Sequence, residues 1–322
     1  MNTPKISVII VSFNTCALLR DCLNTLIKET GNITNEILVI DNASKDDSAV
    51  MVMTEFPKVK LIRSNENLGF AAANNLGFKQ AQGDYIILLN SDAFLQPHAI
   101  ERSLAYMQAN HKIGIGGARL TNQDGSWQPS ARKFPSLLNH FLIISGLANK
   151  YSQSKFFGRM DRTWANIDLA ASIDWVPGAF SIMPRKTLEK IGYFDERFFL
   201  YCEEVDLCKR FKAAGYEVYY WPDVVVIHLG GESSKSLTDL EMSNSGKQIN
   251  LWQMRSTLLY YRKHHGLMVT WLWIQLDSIW HRLRAWKNGS NHKAQESKTI
   301  CKLLKQAWHD TQGGKISPPR PW

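Results

Sequence analysis

Short apolar runs alternate with amphipathic segments over the first ninety residues of the chain. Runs of four to six mostly apolar residues suit strands buried on both faces, whereas apolar residues every three or four positions indicate helices. The predicted strands cover residues 6–11, 36–40, 59–62 and 85–89, and the predicted helices cover residues 15–27, 48–56 and 71–80. This alternation predicts an α/β fold with a mostly parallel central sheet flanked by helices.

The pattern weakens between residues 114 and 174, where Gly116, Gly117, Pro129 and Pro135 interrupt it. We expect a loop-rich, substrate-facing region there. Order returns with an apolar stretch at residues 175–183. The elements predicted after it are helices at residues 186–191 and 203–214 and a strand at residues 217–221.

Beyond His228 the chain becomes basic and rich in tryptophan. The sequence GGESSKS, residues 230–236, is typical of a flexible joint, so we divide the chain into a first domain, residues 1–234, and a C-terminal extension, residues 235–322. The net charge is +9, and the extension holds 14 Lys and Arg against 5 Asp and Glu, while the first domain holds 24 of each kind. The whole basic surplus therefore lies in the extension.

Two helices are predicted in this extension, at residues 248–264 and 267–286. Neither reaches the roughly 18 to 20 apolar residues needed to cross a bilayer, but tryptophan mixed with basic residues is typical of helices that lie in a membrane interface. The alternative is that the tryptophans pack on the first domain. Nucleic-acid binding is not expected, because the first domain has no basic stripe and the extension has no recognisable nucleic-acid motif.

Cysteine usage indicates a reducing compartment. The five cysteines are odd in number and contain no CxxC pair, which predicts neither a disulfide framework nor a zinc cluster. The first residues are typical of a strand and not of a signal peptide. We therefore expect a cytoplasmic protein.

Asp41 follows the second predicted strand, at the edge where open α/β sheets bind ligands. There it could accept hydrogen bonds from the base or ribose of a nucleotide. The alternative is that Asp41 caps a turn with Asn42 and Ser44.

The triplet Asn90-Ser91-Asp92 follows the strand at residues 85–89. A carboxylate and an amide oxygen two residues apart can face one hard cation, and Mg²⁺ or Mn²⁺ bound to a diphosphate prefers such oxygen ligands. The alternative is a polar turn without a metal.

Residues 65–78, NENLGFAAANNLGF, place a glycine and several asparagines where a loop meets a helix, which suits the neutral and anionic parts of a sugar nucleotide. No GxGxxG follows the first strand and no GxxxxGK[ST] is present, which argues against a dinucleotide oxidoreductase and a P-loop NTPase.

Three acids, Glu203, Glu204 and Asp206, begin the helix predicted at residues 203–214. They could simply complement the helix dipole, or one could serve as a general base shielded by the aromatic residues before it. His228 ends an apolar run, where a lone histidine is more often structural than a ligand.

Taken in chain order, these stretches resemble the inverting family 2 glycosyltransferases of GT-A fold, and among them the bacterial rhamnosyltransferases of polysaccharide assembly. The resemblance covers residues 5–232. It rests on ISVIIVSFN, ILVIDNASKDDS, NLGFAAANNLGF, YIILLNSDA, WVPGAF, GYFDERFFLYCEEVDLCKR and IHLGG.

The resemblance implies a role for each candidate residue. Asp41 would hold the pyrimidine base of the donor, and the rest of the nucleotide site would be Ser12, Asn14, Asn67, Gly69, Asn74 and Asn90. Asp92 would bind Mg²⁺ or Mn²⁺, and His228 would complete the metal site. Glu204 would be the catalytic base. The acceptor would be bordered by Trp175, Gly178, Ala179 and Glu203.

Two positions depart from the family pattern. Asn90 replaces the first aspartate of the metal motif, which leaves the need for a metal open. Glu204 replaces the more usual aspartate, which leaves Glu203 and Asp206 as rival bases. Residues 131–136, ARKFPS, resemble a segment of the rhamnosyltransferase relatives and are expected near the donor or acceptor.

The function implied by the resemblance is transfer of L-rhamnose from dTDP-L-rhamnose to a lipid-linked saccharide in bacterial cell-surface polysaccharide synthesis, such as O-antigen. The enzyme would lie peripherally on the cytoplasmic face of the inner membrane through its C-terminal helices. Two alternatives stay open. One is a UDP-hexose or galactofuranose donor, and the other is a non-catalytic nucleotide-sugar-binding protein.

Overall fold

The computed structural model describes residues 5–230 and 247–318. They fall into two compact units, the first made of residues 5–134, 165–195 and 203–230 and the second of residues 135–164, 196–202 and 247–318. The predicted boundary after residue 234, and the predicted joint beyond Gly230, lie outside the described residues. The contiguous division at that boundary stays a prediction.

The strands of the described chain all lie in the first unit. They are β1 (Ile6–Ser12), β2 (Asn35–Asp41), β3 (Lys60–Arg63), β4 (Tyr85–Leu89), β5 (Ala93–Leu95), β6 (Ile113–Thr121), β7 (Trp127–Gln128), β8 (Ala171–Ile173), β9 (Phe180–Pro184) and β10 (Glu217–His228).

The helices divide between the two units. In chain order they are α1 (Cys16–Thr30), α2 (Ser48–Glu55), α3 (Gly69–Gln80), α4 (Ala99–Ala109), α5 (Leu137–Ile144), α6 (Leu147–Lys150), α7 (Arg185–Ile191), α8 (Glu203–Ala213), α9 (Lys247–Asn288) and α10 (His292–Asp310). Helices α5, α6, α9 and α10 belong to the second unit, and the others belong to the first.

One sheet holds the first unit together, in the order β3-β2-β1-β4-β9-β6-β10-β5, with β7 beside β6 and β8 beside β10. Strands β3, β2, β1 and β4 are parallel, β9 runs antiparallel to both of its neighbours, and β10 is parallel to β6. The predicted α/β architecture is therefore confirmed, with a parallel first half and a mixed second half.

The predicted strands and helices of the first ninety residues are confirmed to within three residues at each end. Strands β1 and β4 are apolar at consecutive positions because both of their faces are buried: Val8, Ile9, Ile10, Ile86 and Ile87 have no exposed surface.

The loop predicted from residue 114 onward was wrong for residues 114–121, which belong to β6 in the middle of the sheet. Its glycines obscured the strand pattern, and packing explains them. A Cβ atom on Gly116 would lie 1.9 Å from the ring of Trp221, and one on Gly117 would lie 2.3 Å from Val176. Only glycine leaves room for these side chains, although it contributes nothing to strand periodicity.

The second unit is built on two long helices joined by a short turn. Helix α9 breaks at Gly266 (φ 79°, ψ 177°), which confirms two helical segments flanking that residue. Helix α10 runs back along α9, because Glu296 contacts Arg284 near the turn and Asp310 contacts Arg255 at the far end. Within residues 5–230 and 247–318, no helix is both long and apolar enough to cross a bilayer.

Replacing Gly116 with Ala should destabilise the protein by about 1–3 kcal/mol, because the added methyl group must displace the buried Trp221 ring. The midpoint of urea unfolding, followed by far-UV circular dichroism, measures this loss. Gly31→Ala is the matched control, since a Cβ there meets nothing closer than 3.8 Å and the backbone φ is an ordinary −54°. Equal unfolding midpoints for the two variants would contradict the packing explanation.

Candidate active site

Asp41 ends β2 at the carboxyl edge of the sheet and is 2% exposed. Its Oδ1 accepts a hydrogen bond from the backbone N of Ser44 at 3.2 Å, and its Oδ2 lies 3.8 Å from Nε of Arg63. Asp41 therefore caps the turn after β2, as the turn-capping interpretation expects. Its second oxygen faces the exposed guanidinium of Arg63. Both features fix the carboxylate at the sheet edge.

Asn14 connects the loops that follow β1 and β2. Its backbone N donates to Oγ of Ser44 at 3.1 Å, and its Oδ1 accepts from the backbone N of Lys45 at 2.7 Å. Its positive φ of 53° is one that asparagine tolerates better than most residues. The side-chain oxygen of Asn14 thus shapes the edge on which Asp41 lies.

The asparagines around α3 also build backbone. Oδ1 of Asn67 accepts from the backbone N of Gly69 and from Nδ2 of Asn42, both at 2.9 Å, and Asn42 accepts from the backbone N of Leu68 at 2.8 Å. Gly69 (φ 79°) begins the helix, and Asn74 donates to a carbonyl one turn earlier. Sequence reasoning treated Asn42 only as a turn residue and missed its contact with the α3 loop.

A chain of buried hydroxyl groups joins this edge to the strand that ends in Asn90-Ser91-Asp92. Oγ of Ser12 lies 3.0 Å from Oγ1 of Thr15, which donates to Oγ of Ser91 at 3.0 Å. The ends of β1 and β4 are therefore held in fixed register beyond their last backbone pairs.

Asp92, His228 and Asn90 converge at the end of β4. Oδ1 of Asp92 lies 3.4 Å from Nε2 of His228, and Nδ2 of Asn90 lies 3.4 Å from the same nitrogen. The side chains of Asp92 and His228 are only 8% and 16% exposed. Topology causes this convergence, because His228 ends β10 and pairs with Ala93 immediately after the triplet.

Gln128 fixes the ring of His228. Its Nε2 donates to the His228 carbonyl at 2.5 Å, and its Oε1 lies 3.1 Å from Nδ1 of the ring. Because Oε1 can only accept, Nδ1 must carry the hydrogen, which leaves the Nε2 lone pair facing Asp92 in the neutral ring. Gln128 lies in the two-residue strand β7, too short for any sequence pattern, and was missed.

These residues fit a divalent cation. They offer one carboxylate, one imidazole nitrogen with an oriented lone pair, and Oδ1 of Asn90, which is buried without a hydrogen-bond partner. The described part of the chain contains no cluster of three or more His, Cys, Asp or Glu residues that could hold a metal by themselves. A cation bound here would leave most of its coordination positions to phosphate oxygens, as Mg²⁺ usually does.

The three acids of α8 have different environments. Asp206 is fully buried and accepts from Nε of Arg210 at 2.9 Å, and the same guanidinium donates to the carbonyls of Gly192 and Tyr193 at 2.7 Å each. Asp206 therefore belongs to an ion pair that anchors α8 to the turn after α7. Glu203 is also buried, at 3% exposure.

Burial raises the pKa of Glu204, while its own backbone N–H, that of Val205 and the charge of Arg132 act in the opposite direction. Its Oε2 is buried and accepts no hydrogen bond. A carboxylate with a raised pKa and a vacant acceptor position is suited to take up a proton.

Arg132 acts on this acid through its charge. Its guanidinium lies 4.6 Å from the ring centroid of Trp175, with which it also pairs through the backbone, and Nε1 of Trp175 donates to the Lys133 carbonyl at 2.9 Å. The first-unit part of the predicted segment, residues 131–134, thus contacts Trp175 through Arg132 and Lys133, and Arg132 acts on Glu204 by its charge. Sequence reasoning included the segment but did not single out Arg132.

The predicted acceptor segment connects the two groups of residues. The segment begins at Trp175, on the side of Glu204, and continues to Ala179. The carbonyl of Ala179 accepts a hydrogen bond from the backbone N of Asn90 at 3.1 Å. At Gly178 a Cβ atom would lie 3.3 Å from the ring of Phe70 in α3. The acid, the acceptor segment and the candidate metal ligands therefore follow one another along a continuous stretch of the first unit.

The sequence profile of glycosyl transferase family 2 matches residues 7–208. Curated relatives include the N-acetylglucosaminyl-diphospho-decaprenol L-rhamnosyltransferase of Mycobacterium tuberculosis, 27% identical over 205 residues that span 60% of this chain and 66% of that protein. Rhamnosyltransferase WbbL of Escherichia coli is 25% identical over 201 residues, which span 60% of this chain and 69% of WbbL. The match to the mycobacterial relative thus spans just under two thirds of its length.

Solved structures agree on the fold. The mannosyltransferase PcManGT of Pyrobaculum calidifontis, in complex with GDP-Man and Mn²⁺, superposes with a TM-score of 0.54 at 15% identity, covering 97% of this chain and 76% of that one. GalNAc-T7 with UDP, GalNAc and Mn²⁺ gives a TM-score of 0.58 at 13% identity, covering 98% and 59%. These likenesses show the GT-A fold.

Fold and profile together define a glycosyltransferase of GT-A fold. The chain belongs to glycosyl transferase family 2. Its named relatives include rhamnosyltransferases, and its structural neighbours were solved with Mn²⁺.

The raised pKa of Glu204 predicts a pH-dependent cost to stability. Folding favours the protonated carboxyl of Glu204. The stability that this protonated form contributes is therefore fully present below the ordinary pKa of 4.5 and is lost as the pH rises through the higher pKa of the folded protein. Glu204→Gln keeps the neutral form at every pH. It should match the wild type in free energy of unfolding at low pH and exceed it at neutral pH, as measured by urea unfolding across that range.

Asp21→Asn is the control, because this carboxylate is exposed on α1 and needs no desolvation. A Glu204→Gln variant that is less stable than the wild type at neutral pH would show that the ionised carboxylate stabilises the fold, contrary to this expectation.

Proposed function

We propose that this glycosyltransferase moves L-rhamnose from dTDP-L-rhamnose to a lipid-linked saccharide during synthesis of a bacterial cell-surface polysaccharide. The observation that carries the proposal is the convergence of Asp92, His228 and Asn90 at the sheet edge, with a separate buried acid, Glu204, beyond the acceptor segment. The names of the two rhamnosyltransferase relatives support the donor, and a relative named O-antigen biosynthesis protein RfbC, from Myxococcus xanthus, supports the pathway class.

The donor nucleotide would lie along the edge formed by the ends of β1, β2 and α3. Asp41 would accept from the pyrimidine base. The loops that shape this edge depend on the hydrogen bonds of Asn14 and Asn67, with Ser12, Gly69 and Asn74 as supporting positions.

The reaction is a single displacement. Glu204 accepts the proton of an acceptor hydroxyl whose oxygen forms a bond to the anomeric carbon, while the bond from that carbon to the diphosphate breaks and its electron pair leaves with dTDP. Attack from the face opposite the leaving group inverts the anomeric configuration. Trp175, Gly178, Ala179 and Glu203 would border the acceptor.

Charge on the departing diphosphate is the larger energetic problem. Mg²⁺ or Mn²⁺ held by Asp92, His228 and Oδ1 of Asn90 would neutralise part of that charge. The replacement of a carboxylate by Asn90 lowers the negative charge of the site, which favours a weakly held cation that enters together with the nucleotide.

A lipid-linked acceptor places the reaction at a membrane. The basic, tryptophan-rich helices at the C-terminal end of the chain support a peripheral position on the cytoplasmic face, with the transfer chemistry in residues 1–234. A UDP-sugar donor is the alternative within the same class, and UDP is therefore the comparator in the binding test.

Isothermal calorimetry with dTDP and UDP, with and without Mn²⁺, tests the donor site. Binding should favour dTDP, strengthen with Mn²⁺, and lose its Mn²⁺ dependence in Asp92→Ala. Glu204→Gln should bind dTDP like the wild type but release dTDP from dTDP-L-rhamnose about 10²- to 10⁴-fold more slowly when membrane lipids of an O-antigen-producing bacterium supply the acceptor.

Preference for UDP would replace dTDP-L-rhamnose by a UDP-sugar as the proposed donor, while the proposed nucleotide site would stand. Binding of neither nucleotide would refute the site itself. Asp206→Asn is the control for the assignment of the base, because Asp206 has a structural role through its ion pair with Arg210. This variant should lose stability, whereas its turnover should fall much less than that of Glu204→Gln.

The bond from Gln128 to His228 predicts an effect on metal affinity. Gln128→Leu frees the imidazole ring of His228 to rotate, so the affinity for Mn²⁺ in the presence of dTDP should fall about 10- to 100-fold. Electron paramagnetic resonance, which detects free Mn²⁺, measures this affinity. Gln82→Leu removes an exposed glutamine and serves as the control. Unchanged affinity in Gln128→Leu would mean that His228 is not a ligand oriented in this way.

A further inference from the structure

The segment of α9 after the break at Gly266 exposes a row of large apolar side chains. We call this row the α9 stripe, and its members are Met268 (75% exposed), Trp271 (49%), Leu272 (40%), Ile279 (52%), Leu283 (55%) and Trp286 (83%). At 100° per residue, all six fall within an arc of about 120° on one side of the helix. From Met268 to Trp286 the stripe is about 27 Å long at 1.5 Å per residue.

The opposite side of the same segment is already buried. Trp273 and Ile274 are 4% and 6% exposed, and Asp277 binds Nε2 of His140 in α5 at 2.8 Å. His281 lies 3.4 Å from Oγ of Ser297 in α10. The second unit therefore covers one side of the helix, and the stripe is an additional apolar face that this packing does not use.

Four tryptophans of the described part of the extension show these two environments clearly, two buried and two exposed. Trp252 is buried against Phe199, and Trp273 is buried beside Tyr261. Trp271 and Trp286, in contrast, lie exposed near the two ends of the stripe. Packing within the unit accounts for the first pair and leaves the second pair without a structural role.

The part of the second unit that carries the stripe, residues 267–310, has a surplus of exposed cations. Residues 267–310 contain three acids, and each has a partner within the second unit: Glu296 pairs with Arg284, Asp310 pairs with Arg255, and Asp277 contacts His140. None of the ion pairs found among the described residues includes the exposed cations of this region, which are Arg282, Lys287, Lys293, Lys298, Lys302 and Lys305. The acids therefore do not offset these six charges.

We propose that the α9 stripe lies flat on an anionic lipid bilayer, with Trp271 and Trp286 in the headgroup region and the neighbouring cations on lipid phosphates. The combination of a long apolar face, interfacial tryptophans and a surplus of exposed cations matches a bilayer surface better than a second copy of this chain, because two copies would oppose equal positive charges. This inference rests on the proposed function, in that a lipid-linked acceptor requires the enzyme at a membrane.

The test is sedimentation of the full chain with vesicles of phosphatidylethanolamine and phosphatidylglycerol, compared with vesicles of phosphatidylcholine. The stripe variant carries Ile279→Gln, Leu283→Gln and Trp286→Gln. Removing three interfacial apolar side chains should weaken binding to the anionic vesicles at least about tenfold. Wild-type binding should weaken as salt is raised and should be much weaker on phosphatidylcholine.

The matched control variant carries Ile27→Gln, Val50→Gln and Met53→Gln. These three apolar residues of the first unit are 44%, 55% and 52% exposed, so the control removes similar exposed surface. It should bind vesicles like the wild type. A charge variant, Arg282→Gln with Lys287→Gln, should bind more weakly to anionic vesicles and show a shallower salt dependence.

Calorimetry with dTDP separates this inference from the proposed function. The stripe variant should bind dTDP and unfold in urea like the wild type. If wild type binds dTDP but not anionic vesicles, the membrane face is refuted while the transferase site stands. Equal vesicle binding by the stripe and control variants would overturn it too.

A second copy of the chain is the competing occupant. Light scattering without vesicles that gives a dimer for the wild type and a monomer for the stripe variant would assign the stripe to self-association and overturn the proposal. A monomer for both, with vesicle binding lost only in the stripe variant, supports the bilayer.

Discussion

The parallel pairing of β1 with β2 and with β4 is the constraint on which the candidate site depends. Parallel strands end at one edge of a sheet, so the residues after each strand become neighbours whatever their separation in sequence. Asp41 pairs with Ser12 across β1 and β2, and the hydroxyl chain through Thr15 continues that register to Ser91. Strand β10 then brings His228 to the same region by pairing with β5 directly after Asp92.

Much of the polar chemistry near this edge supports the backbone. Asn14, Asn42 and Asn67 use side-chain oxygens to hold loops, and Asp206 holds α8 through Arg210. Burying such groups is tolerable only because each is hydrogen-bonded. Glu204 and the side-chain oxygen of Asn90 differ, since each keeps a buried oxygen without a hydrogen-bond partner. Unsatisfied oxygens cost stability, and a site that binds cations or accepts protons gains function from them.

The second unit leaves the apolar side chains of the α9 stripe exposed after its own packing. Its ion pairs join Glu296 to Arg284 and Asp310 to Arg255, and none of them includes the exposed lysines of α10. Before the break at Gly266 the tryptophan of α9, Trp252, is buried, whereas the segment after the break buries one side and exposes the α9 stripe on the other. One chain thus combines a family 2 transferase match over residues 7–208 with a C-terminal extension that carries the whole basic surplus of the sequence.

The sequence by itself determined the elements whose burial is periodic and the order of the motifs. Doubly buried strands such as β1 and β4, amphipathic helices, and the glycine break in α9 all leave local patterns, and the resemblance carried by the motifs led to the family that the profile match shows. Tertiary structure decided the rest. Strand β6 was hidden because Gly116 and Gly117 are selected by the side chains that pack over them, and those side chains lie about sixty to a hundred residues away. For the same reason no local pattern revealed that Gln128 orients His228, that Arg132 lies beside Trp175 and Glu204, or which tryptophans are buried. Strand pairing and helix packing fix these contacts between distant residues, and the local sequence around each residue does not specify them.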